Sequence, residues 1–464
     1  MELDVVVCST SGKPVFRHKV SSSKFISEDD DSSTSSFASS LQGLLSFVSC
    51  TQNEELLEIE AAGCRCVFRS SDSLTFAVIV HEETAACNNE VPAIASRCLQ
   101  HLLQLLHNQI LFVLSDRGLD VLRRQSGYDL RLLLNGTERV TRSLIELWAT
   151  IPTLRFTDCG ASFVRLKPER RRDIIQALEH DENAATPSMI CGLLLAQKRI
   201  VAIAQPKKKQ FNMLVDDLLL LINFVYHTPS LASSETWTPI CLTNFNPSGF
   251  LYAYMVFLTS DVCLLLLSSQ QSPEQFPHFQ ARKEYVVRHL HASGAMKAIE
   301  SSLKNFSKWQ PHCDLRLLNH FIFKNELTGE CVEPELVFPF DNDDFETRVQ
   351  VMNEYAKLQH LMFSAPVNSQ THESQILGKP LSSLRENTAA RMVYERSDTG
   401  LFVGMCSADY RIFVWFDSLS SISDARDQIQ VLLERLRHDE ELMSVALYIS
   451  SSGYSSVSSL GMWP

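Results

Sequence analysis

Glycine and proline are scarce in this chain, at 16 and 17 of 464 residues, so composition forces no large part of it into disorder. Positive charge is in deficit: 42 Lys and Arg stand against 54 Asp and Glu, a formal net charge of -12. Attraction to phosphate supplies most non-specific nucleic-acid affinity, so no nucleic-acid partner is expected. No Gly-x-x-x-x-Gly-Lys-Ser/Thr loop and no Gly-x-Gly-x-x-Gly turn occurs, which argues against direct nucleotide binding. There is no Gly-x-Ser-x-Gly elbow, no His-Glu-x-x-His pair and no Cys-x-x-Cys. The 13 cysteines therefore read as reduced, buried thiols rather than metal ligands or disulfides. His289 and His291 form the closest histidine pair, on an amphipathic helical stretch, and read as solvated or core residues. No catalytic residue, metal or cofactor is expected; a hydrolase built from distant Cys and His residues is the least favoured class.

Long apolar runs are missing as well. The most apolar stretch, Leu251 to Leu267, is cut by Thr259-Ser260-Asp261 and reads as a hairpin of two buried strands. The start, Met-Glu-Leu-Asp-Val-Val-Val, has neither the basic nor the long apolar region of a signal peptide. A soluble, cytosolic protein is expected.

What is present is a pattern repeated three times. The first pass has strands at Asp4–Thr10 and Pro14–Lys19 around Gly12-Lys13, then a helix. Its apolar stripe is Phe37, Leu41, Leu44, Leu45 and Val48. Strands at Leu56–Ala62, Cys64–Ser70 and Leu74–Val80 follow, then one long helix from Val91 to Val113. A further helix is capped by Thr137. The second pass runs through strands at Met189–Leu195 and Ile200–Ala204, and a helix with Leu214, Leu218, Leu221, Ile222 and Val225. It continues with strands at Trp237–Phe245, Phe250–Leu258 and Val262–Leu267, and a helical stretch over Pro273–Asn305. The third has strands at Leu317–Lys324 and Cys331–Phe338, a helix with Val351, Tyr355, Leu358 and Met362, and strands at Ala390–Arg396, Leu401–Cys406 and Arg411–Phe416. A closing helix begins near Ile422.

Two strands, a helix, three strands and one or two helices is the order of a longin fold. The expectation is α/β (α+β): three tandem longin-like domains, each an antiparallel five-strand sheet packed by helices. The domains are placed at 1–151, 188–305 and 315–450, with linkers at 152–187 and 306–314, a polar insertion at 365–388 and a tail at 451–464. The serine-rich, acidic segment 21–40 is read as a loop, with phosphorylation as the alternative. Two basic clusters stand out, Lys207-Lys208-Lys209 and Lys167 with Arg170-Arg171-Arg172. Each is either a solvated loop or a patch facing an anionic membrane.

The run Tyr128 to Val140 closely resembles a block of the Mon-one (SAND) vacuolar fusion proteins, as does Trp237 to Leu242 continued through Phe245-Asn246, Gly249-Phe250 and Tyr252-Ala253-Tyr254. Gly12 to Phe16 and His320 to Lys324 are weaker echoes. Within these blocks Asp129, Arg131, Gly136, Glu138, Trp237, Pro239, Phe245, Asn246 and Tyr252 are read as structural. The family's long acidic N-terminal extension has no counterpart before the first strand. The resemblance implies an obligate complex with a Ccz-one-type longin protein. That complex would be an exchange factor for a Rab-seven-type small GTPase, recruited peripherally to phosphoinositide-containing late endosomal and vacuolar membranes. A tri-longin adaptor of another trafficking or planar-polarity complex is the alternative. Exchange needs no titrating group: a thousandfold faster nucleotide release requires only about 4 kcal/mol of preference for the switch-displaced GTPase. The candidate exchange surface is the outer face of the first helix, Gln42, Gly43, Ser46 and Phe47, with Phe47 as the anchor.

Overall fold

The computed structural model describes residues 2–21, 31–52, 55–61, 63–81, 94–125, 128–134, 136–158, 160–180, 189–205, 213–272, 274–305, 314–336, 345–363, 392–439 and 441–442. It contains three five-stranded antiparallel sheets packed by helices, the longin arrangement expected from the repeated pattern. No helix among the described residues is long and apolar enough to cross a membrane. Residues 306–313 of the linker expected at 306–314, the insertion at 365–388, the tail and Lys207–Lys209 lie outside the described residues.

The chain divides into two compact units. The first comprises Met1–Asp158, Asp216–Pro229 and Pro239–Leu251; the second comprises Cys159–Val215, Ser230–Thr238 and Tyr252–Pro464.

In the first unit the sheet is β1 (Glu2–Ser9), β2 (Pro14–Ser21), β3 (Glu58–Ala61), β4 (Cys64–Ser70) and β5 (Leu74–His81), in the order β2-β1-β5-β4-β3. β1 and β5 are central and face protein on both sides, which is why their sequences are apolar runs rather than alternations. Helix α1 (Asp31–Gln52) covers the face bearing Cys8, Phe68 and Ala77. Helix α2 (Ser96–Arg124) covers the other, with His107 edge-on to Phe76 at 5.5 Å. Short α3 (Arg131–Leu134), α4 (Glu138–Thr150) and α5 (Pro152–Phe156) follow. Helix α7 (Val215–His227) belongs here too: Asn223 Nδ2 donates to the Val140 carbonyl at 2.8 Å, and its Oδ1 accepts from the Ser143 hydroxyl at 2.8 Å.

The helix expected over Val91–Val113 runs on to Arg124 as α2, with a break just past the expected end. Ser115 sits at φ 56, ψ 168 inside α2, so the bond between the Phe112 carbonyl and the Asp116 amide is open. Both groups are satisfied by one later segment: Cys241 N–H donates to the Phe112 carbonyl and Asp116 N–H to the Pro247 carbonyl, each at 2.8 Å. The run Ser115-Asp116-Arg117-Gly118 is poor in helix formers, in keeping with a break at this point.

The second unit holds two sheets. One is β7 (Arg199–Ala204), β6 (Met189–Ala196), β10 (Val262–Ser268), β9 (Leu251–Phe257) and β8 (Thr236–Ile240), in that order. Helices α6 (Pro168–Glu179), α8 (Gln275–Ala292) and α9 (Ala295–Asn305) bury Ile174, Leu178, Phe279, Val286, Leu290 and Ile299 against it. The other is β12 (Cys331–Val332), β11 (Leu318–Asn325), β15 (Tyr410–Phe416), β14 (Gly400–Cys406) and β13 (Met392–Ser397). Helix α10 (Phe345–Phe363) sets Tyr355 edge-on to Phe402 at 5.6 Å. Helix α11 (Ile422–His438) packs Ala425, Ile429, Leu432 and Leu436 on the opposite face. Its first turn is capped by the Ser421 hydroxyl, which accepts from Asp424 N–H at 3.1 Å.

Several boundaries differ from expectation. Half of the segment read as a loop at 21–40 is helix, since α1 starts at Asp31. The strand expected over Trp237–Phe245 ends at Ile240, where the chain turns to reach the α2 break. The stretch 273–305 is two helices separated by Gly294, and of the strand expected over Cys331–Phe338 the described residues keep Cys331–Val332.

The interval 152–187, expected as linker, carries α5, α6 and a strap that joins two sheets. Residues 161–164 pair in parallel with Ile200 on β7 and with Glu330 beside β12, so one segment covers an edge of each sheet. Gly160 permits the approach: a Cβ there would lie 1.7 Å from Cys331 Sγ. Arg171, expected on a membrane-facing patch, is instead buried behind the strap at 4% exposure. Its guanidinium donates to the carbonyls of Val201 (2.8 Å), Val164 (2.9 Å) and Glu441 (2.7 Å). Burial lowers its pKa to about 10, still cationic at neutral pH.

Glu330 is buried in the same place, and neither carboxylate oxygen has a hydrogen-bond partner among the described residues. Burial pushes its pKa up to about 8, with Asp439 adding to the rise and Arg171 opposing it. The folded chain therefore keeps a proton that the unfolded chain releases in the ordinary glutamate range. Stability from this group is complete below that range and falls as pH rises to about 8. Glu330→Gln should raise stability by about 2–3 kcal/mol at pH 7, with the gain shrinking toward pH 5. Chemical denaturation from pH 5 to 8.5 measures it; a loss of stability at pH 7 would mean the carboxylate is ionised and paired.

Candidate protein-interaction surface

Helix α1 has the sequence to be half buried and half available. Ala38, Leu41 and Leu45 lie against the sheet. Arg17 on β2 steadies the helix start: its guanidinium pairs with the buried Asp4 carboxylate at 2.7 Å, reaches the Thr34 hydroxyl at 3.5 Å, and lies 5.1 Å from the centre of the Phe37 ring.

On the outer side Phe47 is 66% exposed and Leu44, one turn before it, 42% exposed. Phe47 is where the sequence put it; Leu44, expected in the buried stripe, is not. The stripe counted from Phe37 overlooked Ala38. With Ala38, Leu41 and Leu45 as its true centre, the buried face rotates toward position 42 and away from 44. Gln42 moves inward accordingly, its Oε1 accepting from the Thr75 hydroxyl at 3.1 Å, so it is not part of an outer face. Gly43 and Ser46 are exposed. A Cβ at Gly43 would meet nothing within 4 Å, so no internal packing demands the glycine.

Most residues of the two resembling blocks make contacts within the fold. Asp129 pairs with Arg131 at 2.9 Å and accepts its backbone N–H at 3.1 Å, capping α3; the hydrogen bond from the Arg131 side chain holds the Asp129 carboxyl below its usual range. Gly136 takes φ +88 in the turn before α4, and Glu138 opens that helix, its charge beside the positive end. Thr137 stands at the cap position, but its hydroxyl donates back to the Leu134 carbonyl at 2.6 Å. Trp237 stacks on Tyr252 at 5.9 Å and packs beside Phe279. Pro239 is exposed on β8. Phe245 and Asn246 shape the turn that reaches the α2 break; Asn246 N–H donates to the Leu242 carbonyl at 2.8 Å and its Oδ1 accepts from Ser248 N–H. In the same first block Leu132 is 70% exposed, which periodicity over a four-residue helix could not reveal.

Of the second basic cluster, Lys167, Arg170 and Arg172 are exposed. Arg170 donates to the Ser293 carbonyl at 2.6 Å and pairs with Asp173 at 3.6 Å. Described thiols are mostly buried, and burial pushes Cys8 to about 11 and Cys66 to about 12; Cys50 is exposed.

Two family models match the chain: the first longin domain of FUZ, MON1 and HPS1 over residues 4–144, and the second longin domain of the same proteins over 188–288. The chain is 26% identical over 444 residues to the vacuolar fusion protein MON1 homolog A of Bos taurus, covering 95% of this chain and 71% of that one. The same protein of Homo sapiens is 26% identical, with 95% and 60% covered. Protein SAND of Takifugu rubripes is 26% identical, with 95% and 75% covered.

Phe47 and Leu41 lie on opposite sides of one helix and should separate in stability measurements. Phe47→Ala should change the unfolding free energy by less than about 0.5 kcal/mol, as at other exposed sites. Leu41→Ala should cost about 2–3 kcal/mol through a cavity under the sheet. Denaturant titration of both variants decides it; a large loss for Phe47→Ala would place that ring in an internal contact.

Proposed function

The chain belongs to the MON1 (SAND) family of longin proteins, and from that premise we propose that it acts in vacuolar fusion and membrane trafficking as one subunit of a guanine-nucleotide exchange factor. In this reading it pairs with a Ccz-one-type longin protein, and the pair activates a Rab-seven-type small GTPase on late endosomes and vacuoles. The observation that carries it is the outer face of α1, where Leu44 and Phe47 stand exposed on a helix fixed from below by the sheet. A rigid apolar ridge of this kind suits an interface anchor, since aromatic side chains supply large contact area for little conformational entropy.

The physical demand is modest. A GTPase holds nucleotide through Mg²⁺ and an ordered switch loop, and a surface that prefers the displaced switch speeds release by shifting that equilibrium. No proton transfer or covalent step is required of the chain. Edge strands β2 and β3 of the first sheet give a longin partner a second place to pair. Recruitment to an acidic, phosphoinositide-containing membrane is assigned to Arg170, Arg172 and Lys207–Lys209, while Arg171 is spoken for by the strap. The alternative, an adaptor without exchange activity, is favoured by the breadth of the matching models, whose descriptions also name FUZ and HPS1.

Exchange assays on the complex purified with its partner discriminate the two. Nucleotide release should be accelerated by the complex and not by the chain alone. Phe47→Ala should weaken GTPase or partner binding by roughly 30-fold, the equivalent of about 2 kcal/mol. Full acceleration by the isolated chain, or none by the complex, would sink the exchange reading.

A further inference from the structure

The two sheets of the second unit have four outer strands, and three of them are guarded. The strap pairs beside β7 and beside β12, and β8 carries Pro239, which has no amide hydrogen to offer a further strand. The fourth, β13, pairs with β14 alone among the described residues. Its two-residue turn, Asp398-Thr399, closes on the pair Ser397 and Gly400. Antiparallel alternation therefore aims the backbone N–H and C=O of Met392, Tyr394 and Arg396 outward. A charged side chain commonly guards such an edge. Arg396 stands in that place but is folded onto the neighbouring loop, donating to the carbonyls of Ser418 and Ser420. Asp417 holds the same loop from its start: its Oδ1 accepts from Leu419 N–H at 2.9 Å and its carbonyl from Ser420 N–H at 3.1 Å. Leu419, 84% exposed, is thus an apolar knob on a fixed backbone. Tyr394, 53% exposed, shares the face of β13 that carries Arg396.

We propose that β13 accepts an extended strand of a partner protein, one with apolar residues alternating along one face and basic residues among and beside them. The open ladder supplies the backbone pairing. Leu419, Tyr394 and the exposed Ile422 at the start of α11 supply contacts for every second side chain of the incoming strand. Charge selects its sequence. In the stretches 394–398 and 417–424, Glu395, Asp398, Asp417 and Asp424 stand against Arg396 alone, so a basic strand is attracted and an acidic one repelled. Because the knob sits on a backbone that is already fixed, little ordering cost is left for docking. This surface lies in the other unit from α1 and asks nothing of nucleotide exchange.

The test titrates the full chain into a fluorescein-labelled peptide, Lys-Val-Thr-Val-Lys-Val-Thr-Lys, followed by anisotropy. Saturable binding is expected. The same peptide with Glu for Lys should bind about tenfold more weakly, a gap that narrows as salt is raised. Leu419→Ala and Tyr394→Ala should each weaken binding by about tenfold while leaving the unfolding midpoint unchanged, since both side chains are exposed. Leu132→Ala, at an exposed leucine of the first unit, should have no effect. N-methylation of one alternating set of peptide amides should abolish binding and of the other set leave it intact, a pattern that ladder pairing gives and surface stickiness does not. No saturable binding, equal binding of the two charge forms, binding by both methylated sets, or no response to Leu419→Ala overturns the proposal. So does binding that appears only once residues 443–464 are removed, which would make that segment of this chain the occupant. Self-association that the peptide disperses would make the occupant a second copy, and overturns it too.

Discussion

A buried guanidinium ties three remote segments of the second unit to one another. Arg171 spends its donors on three carbonyls that belong to the strap, to β7 and to the turn after α11, segments far apart in sequence. Lysine could not replace it, because one ammonium lacks the planar fork that reaches three acceptors in different directions. Burying a cation is costly, and the cost is offset only because the groups it satisfies would otherwise be orphaned beside two sheet edges. Both sheets solve their edge problem with the same few residues, so neither edge is complete without the strap that Arg171 fixes.

The first unit uses a different device with the same logic. Opening one helical hydrogen bond at Ser115 leaves a donor and an acceptor that must be met, and the segment 241–247 meets both. The second of the two resembling blocks thereby has a physical reason for its residues. Trp237 and Tyr252 anchor it by stacking, while Phe245 and Asn246 shape the turn that delivers Cys241 and Pro247 to the break. Nothing in this arrangement is chemistry on a substrate; it is backbone satisfaction at a distance.

Much of the fold was legible because three sheets with helices repeat one order, and because central strands such as Met189–Ala196 declare themselves as unbroken apolar runs. Most of what stayed hidden depends on a partner remote in sequence. Arg171 sits among exposed arginines and looked like them; only the strap and the turn after α11 make it a core residue. The strand at Cys331–Val332 is short: it pairs with β11 only at Phe323 and Lys324, while the strap pairs beside it at Glu330. On α1 the error was small and geometric. Omitting Ala38 turned the helix by part of a step, enough to send Leu44 inward and Gln42 outward on paper. Phe47 survived that error because it lies near the middle of the outer face.

The break at Ser115 also sets a timetable for synthesis. When the ribosome has released residue 158, the first sheet and its helices exist, but the Phe112 carbonyl and the Asp116 amide have no partners. Those partners emerge about eighty residues later, after the strap, α6, β6 and β7, a delay on the order of ten seconds at ordinary elongation rates. For that interval the Phe112 carbonyl and the Asp116 amide lack the partners they have in the complete structure, and α7 follows them off the ribosome. The first unit is a body that the chain cannot finish in the order in which it is made.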